Sequence, residues 1–243
     1  MRHPESRIRP RLSRAEIVDA AIAVADAEGA HALSMRRIAQ VLRVGTMSLY
    51  WYVASKEHLL DLMRDIVMAE IEALELMGDW RTDLRDVAKA IRAMMHRHPW
   101  LIDFVGGRPS LGPHTLLGLE QSLAALADLN LEPGQAFDIL TAVSTYVSGA
   151  VLREIEETRV RQAESAAASD PEEVAAGRAR WRGRLADSGL FPHFVAFLDA
   201  GIDPDAPETM EQRFDFGLDC MLDGIAARIR PQVPGKNSGA SSR

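Results

Sequence analysis

Residues 34–62, SMRRIAQVLRVGTMSLYWYVASKEHLLDL, hold the pattern that decides the fold. Ser34 is a suitable N-cap for a short helix, and apolar residues recur at helical spacing over 35–42. Residues 43–45, RVG, interrupt this spacing. A second short helix over 46–53 can follow, capped by its first residue, before a longer third helix. Two short helices across a tight turn form a helix-turn-helix, whose second helix enters the major groove of DNA.

The second short helix presents polar side chains on its outer side. Leu49 and Val53, four residues apart, can both face inward. Small polar groups and aromatic hydroxyls remain outside, with Arg and Lys on the flanks. Hydroxyls and cations bind phosphates, and short side chains near a helix N-terminus reach base edges. The alternative is a small helical subdomain whose tyrosines only pack. The predicted DNA contacts are Ser34, Arg36, Arg43, Thr46, Met47, Ser48, Tyr50, Tyr52 and Lys56, with Thr46, Met47 and Ser48 nearest the bases.

The distribution of charge favours DNA binding by one end of the chain. Residues 1–56 contain nine Arg or Lys and five Asp or Glu, a net charge of +4, whereas the whole chain carries −7 and the remainder therefore −11. A basic head on an acidic body confines the attraction to phosphate to that head. Residues 1–12, rich in Arg, predict an extended arm that is either solvated or laid on DNA. Residues 13–16, SRAE, form a capping box in which Ser13 caps the first helix.

The composition predicts an all-α protein of the cytoplasm. Hydrophobic residues make up 47% of the chain, enough for a core, and strand formers never cluster in alternating runs. There is no apolar run long enough to span a membrane and no signal peptide. The single cysteine, Cys220, excludes an intramolecular disulfide and is predicted to be a small buried residue, because it lies in an apolar helical pattern.

The helical pattern continues through the body of the chain. Ser55 can begin a helix to about Met77, which would span about 30 Å and link the head to the body. Several shorter helices follow, one of them over 114–130. A long helix then runs from 133 to about residue 162 or beyond, and a last helix covers 208–230. The Ala-, Ser- and acid-rich residues 163–177 predict a mobile excursion, and residues 231–243 predict a disordered tail.

The segment 49–60, LYWYVASKEHLL, resembles the LYxHF/V-x-SKEEL signature of TetR-family transcriptional repressors. One difference is Arg43, which stands where the family usually has Gly in the turn. The resemblance implies a three-helix DNA-binding domain at 1–55 and an all-helical ligand-binding and dimerisation domain at 56–230. It also implies a homodimer that binds a palindromic DNA operator as a repressor and is released by a small-molecule effector.

The centre of the body offers a mixture of apolar and small polar residues that suits a small, largely apolar effector. Each of these residues is equally consistent with plain core. The segment 107–109, GRP, resembles a loop of the tetracycline-binding branch, but Phe104 stands where that branch has a metal-binding His. The predicted effector contacts are Met63, Val67, Met94, Met95, Trp100, Phe104, Leu117, Gln121, Phe137, Leu140, Thr141, Ser144, Thr145 and Ser148.

By the same resemblance, the long helix and the last helix are expected to form a four-helix bundle with their copies in the dimer. The alternative is that their apolar stripes are buried within the monomer. The predicted bundle residues are Phe137, Leu140, Val143, Val147, Ala150 and Val151 on the long helix and Phe214, Leu218, Met221, Leu222 and Ile225 on the last helix.

The sequence predicts no catalytic residues, no metal site and no cofactor. His96 and His98 are two residues apart on a helix, so their side chains point about 200° from each other and cannot share an ion. No nucleophile elbow, P-loop or dinucleotide motif is present. Two other interpretations remain: a small-molecule-binding protein or enzyme with an incidental helical head, and a DNA-binding repressor that has no inducer.

Overall fold

The computed structural model describes residues 12–71, 75–107, 111–167, 171–201 and 206–229. Within these ranges the regular secondary structure is entirely helical, which confirms the predicted fold class. Three short 3-10 helices, Ala30–Ala32, Pro99–Phe104 and Ala127–Leu129, lie between the longer ones. The α-helices are α1 (Arg14–Glu28), α2 (Met35–Leu42), α3 (Thr46–Leu49), α4 (Lys56–Met68), α5 (Trp80–Arg97), α6 (Pro113–Ala124), α7 (Pro133–Ala167), α8 (Pro171–Ser188), α9 (Pro192–Asp199) and α10 (Pro207–Ile229).

Serine caps begin α1, α2 and α4, as the sequence predicts. The Ser13 hydroxyl accepts a hydrogen bond from the Glu16 amide (3.1 Å), and the Glu16 carboxylate accepts one from the Ser13 amide (2.8 Å). Ser34 and Ser55 each accept from the amide three residues further on, at 3.2 and 3.1 Å. Each cap satisfies an amide that the helix itself leaves unpaired, so the starts of these helices are fixed locally.

The head packs four helices around one small apolar core. α1 contacts α2 and α4, and α2 contacts α3. Leu49 and Val53 are both 0% exposed, which confirms that they face inward. These contacts hold α3 by one side and leave its other side to solvent. The most deeply buried members of this core are Ile17, Ala21, Leu33, Ile38, Leu49, Val53 and Leu59.

Arg43 occupies the turn between α2 and α3 in a left-handed conformation, with φ 56° and ψ 43°. Its amide donates to the Gln40 carbonyl (3.2 Å), and the Val44 amide donates to the Ala39 carbonyl (3.0 Å). These two bonds form a Schellman motif, which usually has glycine at the left-handed position. The turn therefore keeps the conformation that a glycine would adopt, although the Cβ of Arg43 costs about 1 kcal/mol there.

The predicted bounds of α3 were wrong at both ends. Gly45 rather than Thr46 is the N-cap, and no side chain caps the helix. The α-helix ends at Leu49 instead of Val53, because the chain tightens into a turn at residues 50–52. The amides of Tyr52 and Val53 both donate to the Leu49 carbonyl (2.9 and 3.0 Å), so the turn still continues the direction of α3.

The helix that follows the head is shorter than the sequence predicts. α4 ends at Met68 rather than near Met77, and the Ala69 and Glu70 amides bond to carbonyls three residues back (3.0 and 3.1 Å). Such tightening is typical of a helix end. Thirteen residues span about 20 Å rather than about 30 Å. The Glu70 carboxylate binds His98 (3.0 Å), which holds the chain at this turn.

Several later bounds also differ from the predicted ones. α6 ends at Ala124 rather than at Asn130, because the chain continues as a separate 3-10 helix. α7 runs to Ala167, in agreement with the predicted end at about residue 162 or beyond, and α8 begins at Pro171. The described residues of the predicted mobile excursion, 163–177, therefore belong to these two helices. The predicted arm, apart from residue 12, and the predicted tail lie outside the described residues.

The prediction that Cys220 is buried was wrong, because the residue is exposed on α10. Leu218 and Leu222 are both 0% exposed and fix the inner side of the helix. Residue 220 lies two positions from each of them, about 200° around the helix axis, and therefore faces outward. The apolar pattern of α10 is continuous around this position, so the sequence alone did not distinguish the two sides.

The chain divides into two compact units. One comprises residues 1–125 and 144–167 and so contains the head, α4, α5, α6 and most of α7. The other comprises residues 126–143 and 168–243, with the start of α7 and helices α8 to α10. None of the helices in the described part of the chain combines the length and the hydrophobicity that a bilayer crossing needs.

Candidate DNA-binding surface and effector-binding region

α3 and the turn after it project a band of side chains into solvent. Met47 is 74% exposed and Tyr50 45%, and Ser48 is exposed as well. Thr46 and Tyr52 are half-buried at the edges of this band. This surface is the outer side of the second helix of a helix-turn-helix, the side that reads base edges in the major groove.

Trp51 belongs to the same band, although the sequence analysis did not predict it as a DNA contact. Its side chain is 88% exposed. Because Leu49 and Val53 both face the core, the residue between them must point away from it. That spacing was available in the sequence and would have identified Trp51 as a surface residue of this band.

The end of α3 is held by a contact from the first helix. Arg14 Nε donates to the Tyr52 carbonyl oxygen at 3.2 Å. Arg14 is the first residue of α1, so the bond ties the start of that helix to the turn that carries Trp51 and Tyr52. The exposed band is therefore supported at its carboxyl-terminal end as well as by Leu49 beneath it.

Three predicted cations lie on the segments that flank α3 in the chain, Arg36 on α2, Arg43 in the turn and Lys56 at the start of α4. Arg36, Arg43 and Lys56 are exposed, and none of them forms an ion pair with a residue that the structure describes. Arg37 differs, because it binds the Glu28 carboxylate through Nε (3.0 and 3.1 Å) and through a second guanidinium nitrogen (2.5 Å). That hydrogen bond lowers the pKa of Glu28 and raises the pKa of Arg37. The predicted Ser34 is exposed, with its hydroxyl already accepting the capping bond.

The buried part of the predicted effector region lies in the centre of the first unit. Met63 and Val67 of α4 are 0% exposed, and Met94 and Met95 of α5 are each 4% exposed. Trp100 is 3% exposed. These side chains are core residues of the single chain, as the alternative interpretation allowed.

Phe104 of the predicted set is only half-buried and lies between an aromatic ring and a cation. It contacts Trp100 edge-on, with ring centroids 6.1 Å apart. The Arg64 guanidinium lies 5.5 Å from the centre of the Phe104 ring. The quadrupole of an aromatic ring attracts a cation at this distance, so this contact is stabilising.

Of the eight remaining predicted effector contacts, five are exposed in the single chain. Leu117 is 66% exposed and Phe137 57%. Thr141, Ser144 and Thr145 are also exposed, and Thr141 donates its hydroxyl hydrogen to the Phe137 carbonyl (2.8 Å). The helical pattern correctly placed these residues on helices but did not show which sides those helices bury. Gln121, Leu140 and Ser148 are half-buried.

Asp65 joins α4 to the start of α6. It is 7% exposed and accepts hydrogen bonds from the Thr115 amide (3.0 Å) and the Thr115 hydroxyl (3.1 Å). Gly112, the N-cap of α6, has no side chain for this purpose, so Asp65 supplies the acceptor from another helix. A Cβ at Gly112 would overlap the Asp65 carboxyl group, so the close approach requires glycine.

His98 joins α1 to the chain that follows α4. Its Nδ1 lies 2.8 Å from Asp26 Oδ1, and its Nε2 lies 3.0 Å from Glu70 Oε2. Trp100 Nε1 donates to the same Asp26 oxygen at 2.7 Å. Burial of His98 disfavours its charged form, but the hydrogen bonds and charges of Glu70 and Asp26 outweigh burial and raise the pKa of His98.

His96 binds a different carboxylate from His98. Its Nε2 lies 2.6 Å from Glu154 Oε2, and Arg92 binds both oxygens of the same carboxylate at 3.0 Å. Burial of Glu154 opposes ionisation, but the bonds from His96 and Arg92 lower the pKa of Glu154. The two histidines thus bind three carboxylates, one on α1, one just after α4 and one on α7.

The fold and the exposed band define a class of protein: a helix-turn-helix regulator that carries a larger helical domain. Residues 17–63 match the family described as "Bacterial regulatory proteins, tetR family", and residues 74–229 match "Tetracyclin repressor-like, C-terminal domain". Because these matches cover most of the chain, it belongs to the TetR family of transcriptional regulators. Its class is that of ligand-responsive transcriptional repressors that bind DNA as dimers.

Two named repressors and one solved structure illustrate the likeness. HTH-type transcriptional repressor DrrR1 of Streptomyces coeruleorubidus is 34% identical over 230 residues, covering 94% of this chain and 82% of that protein. HTH-type transcriptional repressor Rv1353c of Mycobacterium tuberculosis is 31% identical, covering 90% and 82%. The crystal structure of Streptomyces coelicolor ActR in complex with actinorhodin has a TM-score of 0.68 at 29% identity, covering 90% of this chain and 98% of ActR.

Proposed function

We propose that this protein represses transcription by binding a palindromic operator as a homodimer, and that a small, largely apolar effector releases it. The observation that carries the proposal is the exposed band on α3, with Met47 74% and Trp51 88% exposed beside three cations that form no ion pair with a described residue. We assign DNA binding to residues 1–55, effector binding and dimerisation to residues 56–230, and no core role to residues 231–243.

Within the DNA-binding surface the residues divide by chemistry. Thr46, Met47 and Ser48 lie at the N-terminal end of α3, where short side chains reach base edges. Tyr50, Tyr52 and Ser34 offer hydroxyl groups to phosphates, and the cations Arg36, Arg43 and Lys56 supply the salt-dependent part of the affinity. We add Trp51 to this set because its exposed indole shares the surface.

We propose dimer contacts that differ from the bundle residues predicted from the apolar stripes of α7 and α10. Val143, Val147 and Val151 of α7 are at most 3% exposed in the single chain. Phe214, Leu218 and Leu222 of α10 are at most 1% exposed. Residues buried within one chain cannot also cover a partner, so the monomer-burial alternative applies to these six residues. Ile225, at 9% exposed, joins them. Of the other predicted bundle residues, Phe137 is 57% exposed, and Leu140, Ala150 and Met221 are half-buried.

An exposed side of α10 is available instead. Phe216 is 72% exposed, and Cys220, four residues further along the helix, is exposed on the same side. A partner that covered this side of α10 would bury the apolar area of Phe216 that is now in solvent. We propose that this side of α10 contributes to the dimer interface.

We propose that the effector acts through the contact between α4 and α6. The effector region contains Met63 and Val67 of α4, and the same helix begins at Lys56, beside the DNA-binding surface. Asp65 ties α4 to Thr115 of α6. A ligand that shifts α6 would therefore shift α4 and change the separation of the two recognition helices, which must lie about 34 Å apart to read both half-sites.

The class of effector is proposed from chemistry and from the relatives. Apolar side chains with few polar groups favour a largely apolar molecule. ActR has been crystallised with actinorhodin, and we propose a small-molecule effector for this chain as well. We further propose that the protein acts in the cytoplasm, where the DNA is, and that it catalyses no reaction.

The experiment that tests the proposed function begins with the operator. Duplexes selected from a random library by the full-length protein are sequenced, and the bound site is mapped by footprinting. A two-fold symmetric site supports the proposal, and binding without sequence preference contradicts it. If actinorhodin then releases the protein from that operator, the result supports regulation by a small-molecule effector. If no compound that binds the body changes the operator affinity, the protein is a repressor that has no inducer.

A further inference from the structure

A cleft of about 570 Å³ lies in the first unit, apart from the proposed effector region. Its walls come from the end of α1 and the 3-10 helix Ala30–Ala32 on one side. On the other side they come from the 3-10 helix Pro99–Phe104 and from α7 between residues 152 and 159. Trp100 is its one residue in common with the predicted effector contacts. The cleft is thus lined both by the head and by the body.

Part of the cleft lining is apolar. Ile102, Leu152 and Ile155 contribute to it together with Pro99. Leu152 is 45% exposed, although its helix, α7, buries Val147 and Val151 completely. An occupant of the cleft could therefore bury the apolar area of Leu152 that is now in solvent.

The charged part of the lining is mostly acidic. Four carboxylates line the cleft, against one arginine and one histidine. Three of these carboxylates already have partners, because Asp26 binds His98, Glu28 binds Arg37 and Glu156 binds Arg159. Asp103 is exposed and forms no ion pair with any residue that the structure describes. One carboxylate of the lining is therefore available for a positive group.

We propose that this cleft is a second ligand site, and that it binds small lipophilic cations. The flat apolar part of such a molecule would cover Ile102, Leu152 and Ile155, and its positive group would lie against Asp103. The volume suits a molecule of drug size. Because the walls belong to both α1 and α7, an occupant would contact the head and the body together. The effect of this occupant on DNA binding rests on the proposed function, but the binding of the cation to the cleft does not.

The test uses two dyes of similar shape and opposite charge. Rhodamine 123 is a planar cation, and fluorescein is a planar anion at neutral pH. Fluorescence anisotropy of each dye is measured with the full-length protein in the absence of DNA. We expect rhodamine 123 to bind with a Kd on the order of 10 µM and fluorescein to bind at least tenfold more weakly.

Four variants locate the binding. Leu152→Arg places a cation in the cleft and should weaken rhodamine 123 at least tenfold. Asp103→Asn removes one exposed charge and should weaken it about threefold. Asp19→Asn makes the same change of charge at an exposed position of α1 outside the cleft, and Ser144→Trp alters the proposed effector region. Both of these controls should bind rhodamine 123 as the unchanged protein does.

Three results would overturn the proposal. These are equal affinity for the two dyes, full rhodamine 123 affinity in Leu152→Arg, and loss of binding in Ser144→Trp but not in Leu152→Arg. The regulatory part is tested separately, by operator affinity at saturating rhodamine 123. If the variants confirm the site but operator affinity is unchanged at saturating rhodamine 123, the cleft is a ligand site. Its proposed effect on DNA binding by the head is then rejected.

Discussion

His98 Nδ1 lies 2.8 Å from Asp26 Oδ1, so that a histidine just after α5 binds a carboxylate on the first helix of the head. The same imidazole binds Glu70 through Nε2 at 3.0 Å. One buried ring thus holds two elements that are 72 and 28 residues away from it in the sequence. The head is fixed to α5 by a charge-assisted contact whose strength depends on protonation.

The first prediction concerns the pH dependence of stability. The pKa of His98 is raised in the folded protein, because its two carboxylates outweigh its burial. A raised pKa contributes stability that is complete below the unfolded value of about 6.5 and is lost as the pH rises through the folded value. The free energy of unfolding, measured by urea denaturation at fixed protein concentration, should therefore fall as the pH rises above about 6.5.

His98→Gln is the matched variant for this prediction, because glutamine can still donate one hydrogen bond but cannot be protonated. It should flatten this part of the pH profile. His96→Gln changes the neighbouring imidazole, which is half-exposed and binds Glu154 instead. A pH profile in His98→Gln parallel to that of the unchanged protein would show that His98 does not carry the linkage.

The second prediction concerns the cations around α3. Lys56→Ala should weaken operator binding across sequences and lower the slope of log K against log salt by about 0.9 for each subunit docked. Lys89→Ala removes the same charge from α5 and should leave that slope unchanged. If Lys56→Ala and the unchanged protein show the same slope, Lys56 does not contact DNA.

The third prediction separates the conformation of Arg43 from its charge. Arg43→Gly relieves the left-handed strain and should raise the free energy of unfolding by about 1 kcal/mol. Arg43→Ala keeps the Cβ and should not stabilise the protein. Both variants lose the cation and should weaken operator binding equally. Denaturation and anisotropy titrations measure the two effects, and full operator affinity in either variant would show that Arg43 is not a DNA contact.

The fourth prediction concerns assembly. Phe216→Glu should yield a monomer in sedimentation experiments at micromolar concentration with unchanged helical circular dichroism, because the side chain is 72% exposed in the single chain. Leu218→Asp should instead destabilise the chain itself, since position 218 is 0% exposed and a buried unpaired charge is costly. A Phe216→Glu protein that remains dimeric would place the interface elsewhere.

The fifth prediction tests the contact between α4 and α6. Asp65→Ala leaves the Thr115 amide without its acceptor and should cost about 1–3 kcal/mol of stability. Gly112→Ala keeps the carboxylate but crowds it. If this contact transmits the effector signal, both variants should bind operator yet release it poorly on adding effector. Normal release in both would mean that the signal takes another route.

The sequence by itself determined the local features of the head. Ser13, Ser34 and Ser55 were identified as caps because a cap bonds to an amide three residues away, within the same short segment. The inward positions of Leu49 and Val53 followed from helical spacing, and the family resemblance of 49–60 followed from the residues themselves. The prediction of the turn needed only the interruption at Arg43.

Only the tertiary structure decided which side of each later helix is buried and where α4 ends. Leu218 and Cys220 both lie in the apolar pattern of the last helix, but Leu218 is buried and Cys220 is exposed. This difference in burial arises from packing against residues distant in the sequence. The same holds for Leu117 and for the cleft beside Asp103. His98 meets Asp26 across 72 residues. No periodicity encodes such a contact, because its distance depends on how separate helices pack rather than on spacing along one of them.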